Sequence, residues 1–189
     1  ANPYGLSKLM TEWILRDVAA AHPFNFCALR YFNVAGADPA GRAGQSTPGA
    51  TNLIKVACEA ATGARPALEI FGDDWPTPDG TGVRDFIHVS DLVDAHVRAL
   101  EELIACPRAS HVLNLGYGHG ASVRDVIAAV ERATGRSLPH RVVPRRAGDI
   151  ARMVADSSAL RALLGWSARH DDLDEIVRSA LAWEARTAN

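Results

Sequence analysis

A chain of 189 residues, 48% hydrophobic and 22% charged, fits one large domain or one and a half small ones, with a sizeable core. Its formal net charge of −2, from 20 Lys and Arg against 22 Asp and Glu, argues against a general nucleic-acid or membrane-surface footprint, which needs a cationic excess. No apolar run approaches bilayer length, no signal peptide precedes the first helix, and Cys27, Cys58 and Cys106 show no C-x-x-C spacing. The expectation is therefore a cytoplasmic protein with reduced thiols and neither a disulfide frame nor a zinc site.

In chain order, Asn2 and Pro3 predict a helix start. Leu6, Leu9, Met10, Trp13, Ile14 and Val18 recur at helical spacing until His22-Pro23 stops the helix near Ala21. The apolar run 26–29 reads as a strand buried in a parallel sheet. Such a strand needs neighbours, yet it is the first in the chain, which predicts missing structure upstream. Residues 34–50, rich in Gly, Ala and Pro, read as a long loop. A helix over 51–62, a strand over 68–71, a polar excursion over 72–82, a strand over 85–89 and a helix capped by Ser90 and running to about Ile104 follow. A strand over 111–115 passes through Gly116-x-Gly118-x-Gly120 into a helix whose Ser122 and Asp125 have capping-box spacing. A strand near 141–143, a helix capped by Asp156 and stopped at Gly165, and a last helix from about Asp172 complete the alternation. That alternation predicts an α/β fold with a parallel or mixed sheet.

Tyr4 and Lys8 are four residues apart, so one helix face carries both. An ammonium beside a phenol favours the phenolate and makes a usable general base, although the pair alone reads first as an exposed helical pair. Arg84 and Arg146 are anion candidates, because a guanidinium grips phosphate oxygens in a bidentate way; any lone arginine is otherwise a solvated or structurally paired one. The Gly116-x-Gly118-x-Gly120 segment has the wrong spacing for a dinucleotide loop, and no acid lies about twenty residues on. It reads as a tight turn. His88 and His96 have no partners at metal spacing and read as structural.

Four segments in order carry a resemblance: Asn2-Pro-Tyr-Gly-Leu-Ser-Lys8, Leu29-Arg-Tyr-Phe-Asn33, Asp79-Gly-Thr-Gly-Val-Arg-Asp-Phe-Ile-His-Val89 and Arg145-Arg-Ala-Gly-Asp149. Over essentially its whole length the chain resembles the extended short-chain dehydrogenase/reductase family. The resemblance implies an α/β fold made of the end of a Rossmann-like parallel sheet and a smaller C-terminal α/β substrate domain. Residues 1–50 would be the C-terminal remnant of the NAD-binding Rossmann domain with its catalytic helix. Residues 51–189 would be mainly the substrate domain, with the chain crossing back between the two.

The resemblance also implies NAD as cofactor, a UDP-sugar as substrate, interconversion of UDP-glucose and UDP-galactose at the sugar 4-position, and a homodimer at full length. Tyr4 would be the base, Lys8 would hold the nicotinamide ribose, and Phe32, with Tyr31 as its neighbour, would lie against the nicotinamide end. Asn33, Asn52, Leu53 and the strand Glu69-Ile70-Phe71 would contact substrate, with Phe71 beside the uracil. Arg84 and Arg146 would grip the diphosphate, Asp149 would meet the nucleotide ribose region, and Met153 would border the sugar. Where the family shows Asn-Asn-Leu, this chain has Thr51-Asn52-Leu53, which leaves the first position open. The glycine-rich loop and the catalytic Ser or Thr that precede the tyrosine in such enzymes are not present. The expectation is a C-terminal portion of a longer enzyme, inactive alone. Another nucleotide-sugar dehydratase, decarboxylase or epimerase, or a non-catalytic UDP-sugar-binding module, fits the same residues.

Overall fold

The computed structural model describes residues 3–187, and the expected cap at Asn2 lies outside them. Helix α1 (Pro3–Ala21) ends just before His22-Pro23. Its apolar residues keep their helical spacing, but Leu6, Met10, Trp13 and Ile14 stand open to solvent. The side chain it buries is Glu12, which receives both Arg30 nitrogens at 2.6 Å. That ion pair anchors α1 to the strand that follows and holds the Glu12 carboxyl below its usual pKa.

Strand β1 (Cys27–Tyr31) pairs in parallel with β6 (His111–Leu115), Leu29 opposite Leu113. Strand β2 (Asn33–Ala35) pairs in parallel with β5 (Phe86–His88). β2 falls largely inside the segment read as loop: its three residues carry no strand signal, and only the β5 partner makes them a strand. Helix α3 (Val89–Ala105) packs on β1, β2 and β5, and α5 (Ser158–Leu164) packs on β6.

The chain departs from these strands after β2, builds α2 (Leu53–Thr62) and β3 (Leu68–Phe71), and returns through β5, α3 and β6. It then departs again into α4 (Val123–Thr134), β8 (His140–Val143) and finally α6 (Leu173–Thr187). β3 and β8 pair in parallel, and α2, α4 and α6 pack against one another. Ile54, Ala57, Val126, Val130, Ile176 and Val177 fill the space between these three helices. Each large aliphatic buried there contributes about 1.5–3 kcal/mol.

Three sequence expectations are corrected. The strand over 85–89 shortens to β5, and the residues just before it form a strand the sequence reading did not expect, β4 (Val83–Arg84), paired with β7 (Ala121–Ser122) and β9 (Arg152–Met153). Asp85 stands between β4 and β5, fully buried, and accepts the backbone N–H groups of Tyr117, Gly118 and Ala155 at 3.0, 3.0 and 3.2 Å. A carboxylate so bonded ends one ladder and starts the next. Second, α3 is capped by His88 and not by Ser90: the His88 Nδ1 accepts the Ser90 N–H at 3.1 Å. Third, the N-cap of α5 is Ser157, whose hydroxyl is turned to the Gly116 backbone; Asp156 accepts the Ser158 N–H from one residue earlier. The box at Ser122 and Asp125 forms in both directions as expected.

Candidate functional site

β3 alternates. Leu68 and Ile70 point into the core, 2% and 1% exposed, so Glu69 and Phe71 point the other way. Their side opens on a cavity of about 710 Å³, whose wall also carries Asn33 from β2, Asn52 and Leu53 from the start of α2, Arg84 from β4, and Arg146 and Asp149 from the segment between β8 and β9. Ile70 belongs to the core, so its side chain gives the cavity nothing.

The charged residues are already organised. The Arg146 guanidinium lies 4.1 Å over the Phe71 ring and donates to Asp149 Oδ2 at 3.0 Å. Arg84 donates to the Val83 carbonyl at 2.8 Å, which sets the direction of its side chain. Burial pushes the Arg84 pKa down, the nearby Asp149 opposes this, and Arg146 adds to it. A guanidinium so shifted stays cationic. Five cationic side chains on the wall, Lys55, Arg65, Arg84, Arg141 and Arg146, against the carboxylates of Glu69, Asp149 and Glu184 leave an excess positive charge there, the electrostatics an anionic group requires. The α2 N-terminus faces the same space. Asn52 occupies its N-cap, but its side chain makes no capping bond, so first-turn N–H groups lack the usual partner.

Sequence reasoning missed several wall residues. Trp75 lines the cavity, donates Nε1 to the Phe71 carbonyl at 3.0 Å, and carries Arg145 stacked 4.0 Å over its ring. Lys55, Gln45, Trp183 and Glu184 line it as well. One signal was available for Lys55: a lysine in the first turn of a helix opposes the macrodipole and so needs a reason to be there. Its ammonium lies 2.5 Å from Glu184 and 3.5 Å from Glu59. The others come from segments far apart in sequence and left no local trace.

Tyr4 and Lys8 do share a face of α1, with the Lys8 ammonium 5.3 Å from the Tyr4 ring centre. Tyr4 is 74% exposed, and neither residue is on the cavity wall. Phe32, half-buried between β1 and β2, donates its N–H to the Leu115 carbonyl at 3.3 Å and also lies off that wall. Met153 is exposed on β9, in register with Arg84.

The turn over 116–120 is tight at its two ends. A Cβ on Gly116 would meet Ala155 and Asp85 at 2.6 and 2.7 Å, and the Tyr117 and Gly118 N–H groups are consumed by Asp85. Those N–H groups are therefore spent within the chain. His88 is a satisfied buried histidine, bonded to Ser90 and Ser179 and stacked on His170 at 4.5 Å between ring centres. His96 bonds the Leu92 carbonyl within its own helix. Among the described residues no cluster of His, Cys, Asp or Glu could hold a metal ion.

This geometry has known counterparts. A UDP-glucose 4-epimerase of Azospirillum brasilense is 58% identical over 183 residues, covering 97% of this chain and 52% of that protein. The enzyme of the same name from Neisseria meningitidis serogroup B is 43% identical over 190 residues, covering 100% of this chain and 56% of the relative. The crystal structure of UDP-glucose 4-epimerase from Bifidobacterium longum, in complex with NAD+ and UDP, superposes with a TM-score of 0.93 at 44% identity and covers 100% of this chain and 56% of its own. The chain thus spans about half the length of the curated relatives it matches. The family model described as "NAD dependent epimerase/dehydratase family" matches residues 1–116, which takes in the α1 pair, β1, β2 and Arg84; on the strength of that match and of the shared fold, this chain belongs to the NAD dependent epimerase/dehydratase family.

Proposed function

We propose that this chain is the substrate-binding portion of an NAD-dependent UDP-glucose 4-epimerase, and that it holds the UDP part of a UDP-hexose in the cavity between β3, α2 and the Arg146 segment. The observation that carries this reading is the convergence of Arg84, Arg146, Asp149 and Phe71 on one wall with Asn33, Asn52 and Leu53. The arginines take the diphosphate, Asp149 the nucleotide ribose, and Phe71 and the backbone of β3 the uracil. Met153 borders the sugar. Residues 1–50 fit the end of the NAD-binding domain and 51–189 mainly the substrate domain, with Phe86–Leu115 returning to the first.

Tyr4, Lys8 and Phe32 suit the nicotinamide end of NAD, while the turn over 116–120 does not suit its pyrophosphate, since the Tyr117 and Gly118 N–H groups are taken by Asp85. When bound, NAD would supply the acceptor and donor of a hydride at the sugar C4. Tyr4 Oη takes the proton of the sugar 4-hydroxyl as that carbon is oxidised and gives it back on re-reduction at the other face. Lys8 steadies the phenol and the nicotinamide ribose. The arginines hold the diphosphate throughout, so that the 4-keto sugar turns over without leaving.

The open apolar face of α1 suits the homodimer expected at full length, and three free cysteines suit a cytoplasmic location. The test is calorimetric titration of the chain with UDP. Binding is expected, and Arg84→Ala should weaken it by about 1.5–3 kcal/mol, the range for a charge-assisted hydrogen bond. A chain that ignores UDP, or an Arg84→Ala variant with unchanged affinity, removes the assignment.

A further inference from the structure

Among the described residues β3 and β8 form a two-stranded sheet, so β3 has a ladder partner on one side. Leu68 and Gly72 donate to the Pro139 and Val143 carbonyls at 2.8 and 2.9 Å. Alternate residues of a parallel strand bond the same neighbour, so the main chain of Leu68 and Ile70 faces β8 and that of Glu69 and Phe71 faces away from it. The free edge presents, in chain order, the Glu69 N–H, the Glu69 carbonyl, the Phe71 N–H and the Phe71 carbonyl. Both residues line the cavity.

The last of these four groups is already taken. Trp75 Nε1 donates to the Phe71 carbonyl at 3.0 Å, which spends that carbonyl inside the chain and leaves three groups for a ligand. The indole is held to this bond from several sides. Arg145 lies 4.0 Å over its ring and is itself bonded to Asp74 at 2.7 Å. The Trp75 N–H donates to the Gly80 carbonyl at 2.9 Å, and the Trp75 carbonyl accepts the Thr77 N–H at 2.7 Å. Gly72, at φ 83°, leaves the approach clear, since a Cβ there would meet Nε1 at 3.1 Å.

We infer that Trp75 is a positioning residue that sets base specificity: by occupying the Phe71 carbonyl it leaves an edge that a uracil matches and a cytosine does not. This rests on the reading above, in which Phe71 and the β3 backbone take the base. Uracil carries O4, N3–H and O2 in a row, acceptor, donor, acceptor. The Phe71 N–H, the Glu69 carbonyl and the Glu69 N–H run donor, acceptor, donor. Cytosine has an amino group and a bare N3 in the first two places, so in that register donor meets donor and acceptor meets acceptor. One group along, its amino group would meet the Phe71 carbonyl and its N3 the Phe71 N–H, and this is the register that Trp75 closes. A slide the other way, onto the Glu69 N–H, draws the base off the Phe71 ring. The wrong base is rejected because its alternative pose is denied.

The experiment titrates the chain with UDP and separately with CDP, for the unaltered protein and for Trp75→Phe, which keeps an aromatic face under Arg145 and removes the N–H. The unaltered chain should bind UDP at least about tenfold tighter than CDP, since cytosine leaves backbone groups of the edge unmatched. Trp75→Phe should bind CDP about two- to tenfold tighter than the unaltered chain does, the factor for one neutral hydrogen bond gained, with UDP affinity held within about twofold. A purely structural tryptophan would instead move both ligands alike. Unchanged CDP affinity, an equal loss for both ligands, or a narrower ratio that comes from weaker UDP binding alone overturns the assignment to Trp75 while leaving the UDP site standing. Equal binding of UDP and CDP by the unaltered chain overturns the base edge with it, and failure of that chain to bind UDP overturns both the inference and the site.

Discussion

Tyr4 and Arg84, both proposed to act on the ligand, stand in different surroundings. Arg84 is half-buried beside Asp149 and Arg146, so its surroundings are complete within this chain and its pKa already registers burial. Tyr4 lies open on α1, 74% exposed, with the Lys8 ammonium 5.3 Å from its ring centre. The two therefore call for different experiments. In a chimera joining this chain to the N-terminal half of the Azospirillum brasilense relative, Tyr4→Phe is expected to lower kcat by about a hundredfold to ten-thousandfold, the usual effect of removing a general base. UDP affinity should hold, because Tyr4 is not on the cavity wall. Steady-state turnover within a few-fold of the unaltered chimera would exclude Tyr4 as the base.

Single elements here depend on their ends. α4 starts with a complete capping box, and the Ser122 hydroxyl that accepts from Asp125 N at 3.0 Å also donates to Asp79 Oδ2 at 2.5 Å. Asp79, through Thr81, shapes the turn that leads into β4 and Arg84. Ser122→Ala should cost about 1–3 kcal/mol in urea unfolding, one cap plus one hydrogen bond to a charged acceptor. Ser122→Thr, which keeps both bonds, should recover most of it.

The His88 cap of α3 adds a pH dependence. Burial first, and His170 second, push the His88 pKa below its ordinary value, against the pull of Asp91, Glu175 and Asp38. Above about pH 6.5 the imidazole is neutral in both folded and unfolded chains, and stability is unaffected by it. As pH falls below that, the unfolded chain takes up a proton that the buried ring refuses. Stability should therefore drop by at most about 1.4 kcal/mol per pH unit from this group until the folded ring protonates too. Urea unfolding at pH 7.5 and 5.5 measures the drop. His88→Asn keeps a capping acceptor without a titrating ring and should flatten it; an equally steep drop in that variant would assign the dependence to other groups.

At the scale of the molecule, α2 and α6 are tied by charge as well as by apolar contact. Burial pulls the Lys55 pKa down, but Glu184 and Glu59 together outweigh it and leave it raised. The Lys55 and Glu184 side chains are only 10% and 7% exposed, so removing one partner strands the other away from water. Glu184→Ala should lose about 2–4 kcal/mol, less than a fully isolated pair because Glu59 still faces Lys55. The apolar double variant Lys55→Met with Glu184→Leu should be markedly more stable than Glu184→Ala, which equilibrium unfolding of the three proteins would decide. Cys58 lies in the same layer, and burial pushes its thiol up to about 12, which fits a packing role.

The sequence by itself determined the long elements. α1, α2, α3, α4 and β3 follow from apolar spacing, because 3.6-residue and two-residue periods are written in neighbouring positions. It also brought Arg84, Arg146, Asp149 and Asn52 forward as candidates through the ordered motifs and the resemblance they carry, and read Gly116–Gly120 as a tight turn from its spacing and the missing acid. Only the tertiary structure decided the rest. β2, β7 and β9 are two or three residues long and exist because a distant strand supplies their hydrogen bonds. Asp85 stands between β4 and β5 instead of opening a strand because three backbone N–H groups from elsewhere converge on it. Ile70 turns to the core and Glu69 to the cavity because the β3 register against β8 fixes which side is covered. Gln45, Lys55, Trp75 and Trp183 reach one cavity from four separate segments, and no local pattern records a meeting that packing alone brings about.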